Sequence, residues 1–218
     1  MTSRDGISPA ALPAARAAVK PAGTLLATLQ QVTAESHQRI EATPVVAAMV
    51  AGTISVGAYA QLLAQLEVIQ EAFERRVPEL DIPDEPRGLV YRLAALRADL
   101  AYYAQPRLPI PAATDELRDW IVRSTHDEVI GAAYVMIGKA HGSAVVLRHL
   151  RTAFGKGDIA GVGLDYHRIA AADLRQGWVA FKSFLAAIRD ANLSEISSGA
   201  VTMMTGLERL HAGIAMSA

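Results

Sequence analysis

Between residues 59 and 77 the apolar side chains fall at Tyr59, Leu62, Leu63, Leu66, Ile69, Phe73 and Val77. Steps of three and four turn those groups toward one side only if the backbone is helical. The same spacing recurs along the chain. Leu25, Leu26, Leu29, Val32 and Ile40 form a stripe that Pro44 interrupts, and Leu89, Leu93, Leu96 and Leu100 form another between Arg87 and Tyr103. Ser55 stands where a hydroxyl caps the helix that ends near Pro78. Thr125-His126-Asp127-Glu128 reads as a capping box opening a helix that runs to about Phe154, where Gly155-Lys156-Gly157 stops it. Residues 165–191 and 194–215 supply further helices, whereas Pro106-Arg107-Leu108-Pro109-Ile110-Pro111 must be a loop. No segment alternates with the period of two that a strand needs, and no internal repeat is present. The predicted fold is all-α.

At 218 residues a single hydrophobic core is efficient, so one domain is expected over residues 23–218. Residues 1–22, rich in Ala and broken by Pro9, Pro13 and Pro21, read as a flexible arm without the apolar stretch of a signal peptide. The formal net charge of −1 gives no global attraction to nucleic acid or to an anionic membrane. With no cysteine, the chain has neither disulfides nor thiolate metal ligands, which fits a cytoplasmic setting. No apolar run is expected to reach the roughly 20 residues that span a bilayer. There is no phosphate-cradling glycine loop and no nucleophile elbow.

Two segments carry candidate chemistry. His37 and Glu41 stand four apart on a helix, stacked on one face. If Nε2 of His37 binds a metal, Glu41 can hold Nδ1–H and set the ring plane; otherwise the two form an ordinary surface pair. The second segment, Tyr134-Val135-Met136-Ile137-Gly138-Lys139-Ala140-His141-Gly142, places two glycines four apart inside an apolar helix. Each costs that helix roughly 1 kcal/mol relative to Ala. Their bare face permits close approach either by another helix backbone or by a planar ligand.

Taken in order, these residues resemble the heme oxygenases. The resemblance rests on His37 followed by Arg39 and Glu41, then Gly52, Ser55 and Tyr59, then Leu96-Arg97-Ala98-Asp99-Leu100. It continues with Gly131-Ala132-Ala133-Tyr134-Val135, Gly138, Gly142, Leu147, His149 and Leu150, and is closest to the bacterial branch that supplies biliverdin to phytochromes. It implies a multi-helix fold with heme b between a proximal helix and a kinked distal helix. His37 would be the proximal iron ligand, Glu41 its orienting carboxylate, and Gly138, Gly142 and Ser143 the distal catalytic wall. Heme would be both cofactor and substrate, opened by O2 and an external reductant to biliverdin, CO and ferrous iron. The implied partners are an electron donor such as ferredoxin or a reductase, and a phytochrome or other biliverdin acceptor.

Some residues depart from that pattern. Ser143 follows Gly142 where a glycine is common, and His141 stands where an apolar residue is usual. Gln30 occupies a position often basic, leaving Arg175, Lys182 or Arg209 to meet the propionates. His149 reads as a buried or rim histidine, His126 and His167 as solvated, and Trp178, Phe181, Phe184 and Leu185 as core. Glu208-Arg209-Leu210-His211 has the ExxH spacing of di-iron bundles but no second copy. Two alternatives stand beside the enzyme reading. One is a non-catalytic heme carrier or sensor; the other is a heme-free small-molecule or di-iron enzyme of the wider fold.

Overall fold

A computed structural model describes residues 23–216 apart from residues 84, 85, 107, 158 and 190. The arm expected over residues 1–22 lies outside the described residues. Those residues form α1 (Gly23–Glu41), α2 (Pro44–Ala51), α3 (Val56–Arg76), α4 (Arg87–Val90), α5 (Leu93–Tyr103), α6 (Ala112–Arg123), α7 (His126–Gly138), α8 (Ala140–Ala153), α9 (Asp165–Ala187) and α10 (Leu193–Ala212). A 3-10 turn, Val77–Leu80, follows α3 where Pro78 ends the α-helical hydrogen bonding. No strand occurs among the described residues.

α3 forms as its spacing dictates. Ser55 accepts the amide of Ala58 at 3.2 Å, and Tyr59, Leu62, Leu63, Leu66, Ile69, Phe73 and Val77 are all buried. Pro44 does not merely interrupt the first helix; it opens α2, where its missing N–H is no loss. In α1 the predicted stripe is shifted. Leu25 and Leu29 are buried, but Val32 is exposed and its neighbours Thr33 and Ser36 take the inner face. The segment from Arg87 to Tyr103 is two helices rather than one. Oε1 of Glu74 accepts the amides of Arg92 and Leu93, both at 2.7 Å, and so captures groups a continuous helix would have bonded internally. α6, absent from the sequence-based expectation, packs against α3.

α7 and α10 make the tightest crossing in the bundle. A Cβ on Gly131 would lie 2.0 Å from the Ile196 carbonyl oxygen, and one on Gly199 would lie 2.2 Å from that of Glu128. Here glycine serves backbone contact. The capping box predicted at Thr125 and Glu128 is present, with Thr125 N–H donating to Glu128 at 2.8 Å. The helix it opens breaks at Lys139 and resumes as α8. Residues 126–153 together are long and apolar enough to cross a membrane by composition alone, contrary to expectation. Most of their apolar window is packed inside the bundle, as in a core helix.

Candidate functional site

The Thr33 side chain on α1 acts on the Tyr134 hydroxyl on α7, holding down a phenol that burial pushes up. His37 lies one turn beyond Thr33, and Gly138 lies one turn beyond Tyr134. Each candidate segment thus begins one turn from a member of that pair. His37 Nδ1 lies 3.5 Å from Glu41 Oε1, and the side chains are 64% and 63% exposed. At that exposure the pair contributes little to stability. Its effect is orientation: Nδ1 faces the carboxylate, and Nε2 is the ring nitrogen left for a ligand. Gln30, Ala34, His37 and Glu41 all lie on one exposed face of α1.

The two glycines do not serve a helix crossing. A Cβ on Gly142 would meet nothing within 4 Å, and one on Gly138 would meet only the Trp178 ring at 3.8 Å, ordinary contact. Open space over one glycine and an aromatic wall beside the other is what a flat apolar ligand requires. Trp178 sits on α9 with its ring centroid 6.2 Å from Tyr134 and 5.0 Å from His141, the latter edge-on. Trp178 and Phe184 are half-buried, while Phe181 and Leu185 belong to the core. His141 is exposed, and its Nδ1–H donates to the Gly138 carbonyl at 2.9 Å. That bond satisfies a carbonyl released by the break at Lys139.

Among the predicted propionate partners, Arg175 and Lys182 are exposed on α9, three residues before and four after Trp178, on its face. Arg209 instead pairs with Glu116 on α6 at 2.9 Å. The ExxH pair is also otherwise engaged. Glu208 binds Arg39 at 2.8 Å, and His211, half-buried, donates Nδ1–H to the Leu207 carbonyl at 2.6 Å. Among the described residues no group of three or more His, Cys, Asp or Glu could hold a metal ion.

His167 is buried, against the expectation of a solvated side chain; His126 is exposed as expected, and His149 is half-buried. His167 Nδ1 lies 3.2 Å from Ser143 Oγ, and Ser143 is itself buried behind the glycine face. Burial, with Arg92 and Lys139 nearby, pushes the His167 imidazole down to about 3. Arg92, fully buried, places its guanidinium 4.6 Å over the Tyr166 ring and donates Nη2–H to the Met136 carbonyl at 3.1 Å. No motif carries Arg92, Tyr166 or Lys139; the only sequence signal is a lysine at the break of an otherwise apolar helix.

The heme oxygenase family model matches residues 23–200 of the chain. Among solved structures, heme oxygenase from Leptospira interrogans aligns with TM-score 0.73 at 17% identity, covering 86% of this chain and 98% of that one. Heme oxygenase-1 from the cyanobacterium Synechocystis, in complex with heme, aligns with TM-score 0.68 at 17% identity over 86% and 90% of the two chains. Heme oxygenase-2 from Synechocystis, in complex with heme and NO, gives 0.69 at 18% over 86% and 83%. No curated protein sequence matches.

Proposed function

The chain belongs to the heme oxygenase family, and from that premise we propose that it binds heme b and opens it oxidatively to biliverdin, CO and ferrous iron. The observation that carries this reading is the bare glycine face, open over Gly142 and lined by Trp178 at Gly138. The bound heme supplies the iron at which oxygen is activated and the carbon skeleton that is cleaved.

The chain's own residues bind and orient. His37 offers Nε2 as the proximal ligand while Glu41 accepts Nδ1–H, fixing the tautomer and strengthening the ligand as a donor. A neutral imidazole gives less push toward O–O cleavage than a thiolate does. Gly138 and Gly142, with no side chain to intervene, would let a flat ligand lie against the helix, with the Trp178 ring beside Gly138. Arg175 and Lys182, exposed on the Trp178 face, are the cations that would meet the propionates, Gln30 being uncharged. Ser143 connects that wall to the buried imidazole of His167. Electrons come from a ferredoxin or a reductase, and the product passes to a phytochrome or other biliverdin acceptor. The absence of cysteine fits a cytoplasmic reaction.

The test is a hemin titration followed by ascorbate or a ferredoxin system, with the Soret band tracked against biliverdin absorption. Stoichiometric binding with conversion to biliverdin supports the enzyme. A Soret band that forms and survives reductant would make the chain a carrier or sensor. No spectral change with hemin would exclude both.

A further inference from the structure

A cavity lies away from the glycine face, between α3 and the loop that follows α5. Its volume is about 410 Å³, and it shares no lining residue with the wall of Gly138, Gly142 and Trp178. α3 contributes Ala58, Ala60 and Ala64, while α5 and its loop contribute Leu100, Pro109 and Ile110. Alanine at three positions along one side of α3 leaves room that larger side chains would fill. Sites for small molecules commonly span about 300–1,000 Å³ and join apolar walls to a few placed polar groups. The polar side chains among the described lining are Ser55, Gln61, Gln65 and Gln105, and none of that lining is charged.

Three of those four groups are engaged within the protein. Ser55 accepts the Ala58 amide at 3.2 Å, Gln61 accepts that of Ala215 at 3.1 Å, and Gln105 donates to the Tyr103 carbonyl at 3.3 Å. Gln65 differs. Only 2% of it is exposed, in a stretch where Leu62, Leu63 and Leu66 are core. Its Oε1 accepts the Thr114 hydroxyl at 2.8 Å, and its Nε2 has no hydrogen-bond partner among the described residues. A buried donor left unpaired costs free energy that an apolar side chain at the same place would avoid. Thr114 holds Oε1 from outside the lining, so Nε2 is the branch of the amide left for the cavity.

We propose that this cavity binds a neutral carbonyl compound about two fused rings in size, with its oxygen accepting Nε2–H of Gln65 and its rings against the alanines of α3, Pro109 and Ile110. An N–H donor calls for an acceptor, and an uncharged lining offers nothing to an ion taken out of water. Apolar walls around a single unpaired donor therefore select a ketone over a carboxylate, and over the hydrocarbon of the same shape. The site is independent of the proposed heme chemistry, because none of its lining belongs to the glycine face or to the His37 pair.

The probe is α-tetralone, with tetralin as the same bicyclic frame lacking the oxygen, each added to the full chain without heme. In proton–nitrogen correlation spectra, α-tetralone at about 1 mM should move the Gln65 side-chain amide together with the backbone amides of Ala58, Ala60 and Ala64. Tetralin should move the backbone amides and leave the side-chain amide in place. Gln65→Leu should lose about 10-fold in affinity for α-tetralone and keep its affinity for tetralin. Ala64→Phe, which fills the cavity from a half-buried position, should lose both compounds and keep the melting temperature. The wild-type spectra need no variant to fold. A wild type whose lining amides do not respond to α-tetralone, or respond while the Gln65 side chain stays still, overturns the proposal. So does a Gln65→Leu protein with the wild-type preference for the ketone. Failure to bind hemin would overturn the proposed function and leave each of these outcomes as decisive as before.

Discussion

At the scale of single residues, the proximal pair has the firmest chemical assignment. His37 is exposed and its Nδ1 already faces a carboxylate, so its loss should remove the ligand without disturbing the core. His37→Ala is expected to keep the wild-type helical content and melting temperature while losing ring opening, with added imidazole restoring part of it. A variant that keeps the wild-type heme spectrum would move the ligand elsewhere. Glu41 acts one step further out. Glu41→Ala should leave heme bound but weaken the iron–histidine bond, with a loss of about 10- to 100-fold in affinity or activity. At 3.5 Å the contact is long for a hydrogen bond, which points to the lower end of that range. Glu41→Gln should be milder, since the amide oxygen still accepts. An iron–histidine stretching frequency identical in all three proteins would remove Glu41 from any orienting role.

Among elements, the broken helix α7–α8 carries two kinds of glycine, and substitution separates them. Gly131 packs backbone against backbone, with the Ile196 carbonyl oxygen 2.0 Å from where its Cβ would be. Gly131→Ala must therefore push α10 away, at a cost of about 1–3 kcal/mol or more. Gly142 faces open space. Gly142→Leu should hold or raise the melting temperature, because the helix gains most of the roughly 1 kcal/mol that glycine forfeits. The same bulk would fill the face reserved for the tetrapyrrole and sharply reduce hemin affinity or ring opening. Melting curves beside hemin titrations decide the matter: a Gly142→Leu variant that binds hemin and makes biliverdin at the wild-type rate would end the distal-wall reading.

For the molecule as a whole, the buried His167 and the half-buried His211 set the response to acid. His167 is pushed down to about 3 by burial, Arg92 and Lys139, and His211 is pushed down to about 4, mainly by burial. The folded protein thus binds fewer protons at these sites than the unfolded chain. Their contribution is fully present above pH 6.5, the ordinary histidine value, and is lost as pH falls toward the folded values. Asp99 works the other way. Burial raises it to about 6, so its protonation adds stability as pH drops through that value. Two histidines against one carboxylate predict a net fall in melting temperature between pH 6.5 and pH 4, within the range these residues span. His167→Gln should flatten the curve. A melting temperature level across that range would mean that the fold does not hold the two imidazoles as neutral rings.

The helices of this protein were legible because their cause is local. Periodic leucines in α3, the hydroxyl of Ser55 and the capping box at Thr125 and Glu128 act within one or two turns, and the structure repeats them. His37 with Glu41 was visible for the same reason, being a contact across one turn. The division of α4 from α5 was not visible, because the carboxylate that breaks the run comes from Glu74 on another helix. Nor could spacing distinguish Gly131 from Gly142: both are glycines in one apolar run, and only the position of α10 makes the first a contact and leaves the second a surface. His167 reads as a solvated residue near a helix start until the fold folds Ser143, Arg92 and Lys139 around it. Local order was written in the sequence, whereas burial and charge environment are sums over residues far apart in the chain, and only the packed bundle carries them out.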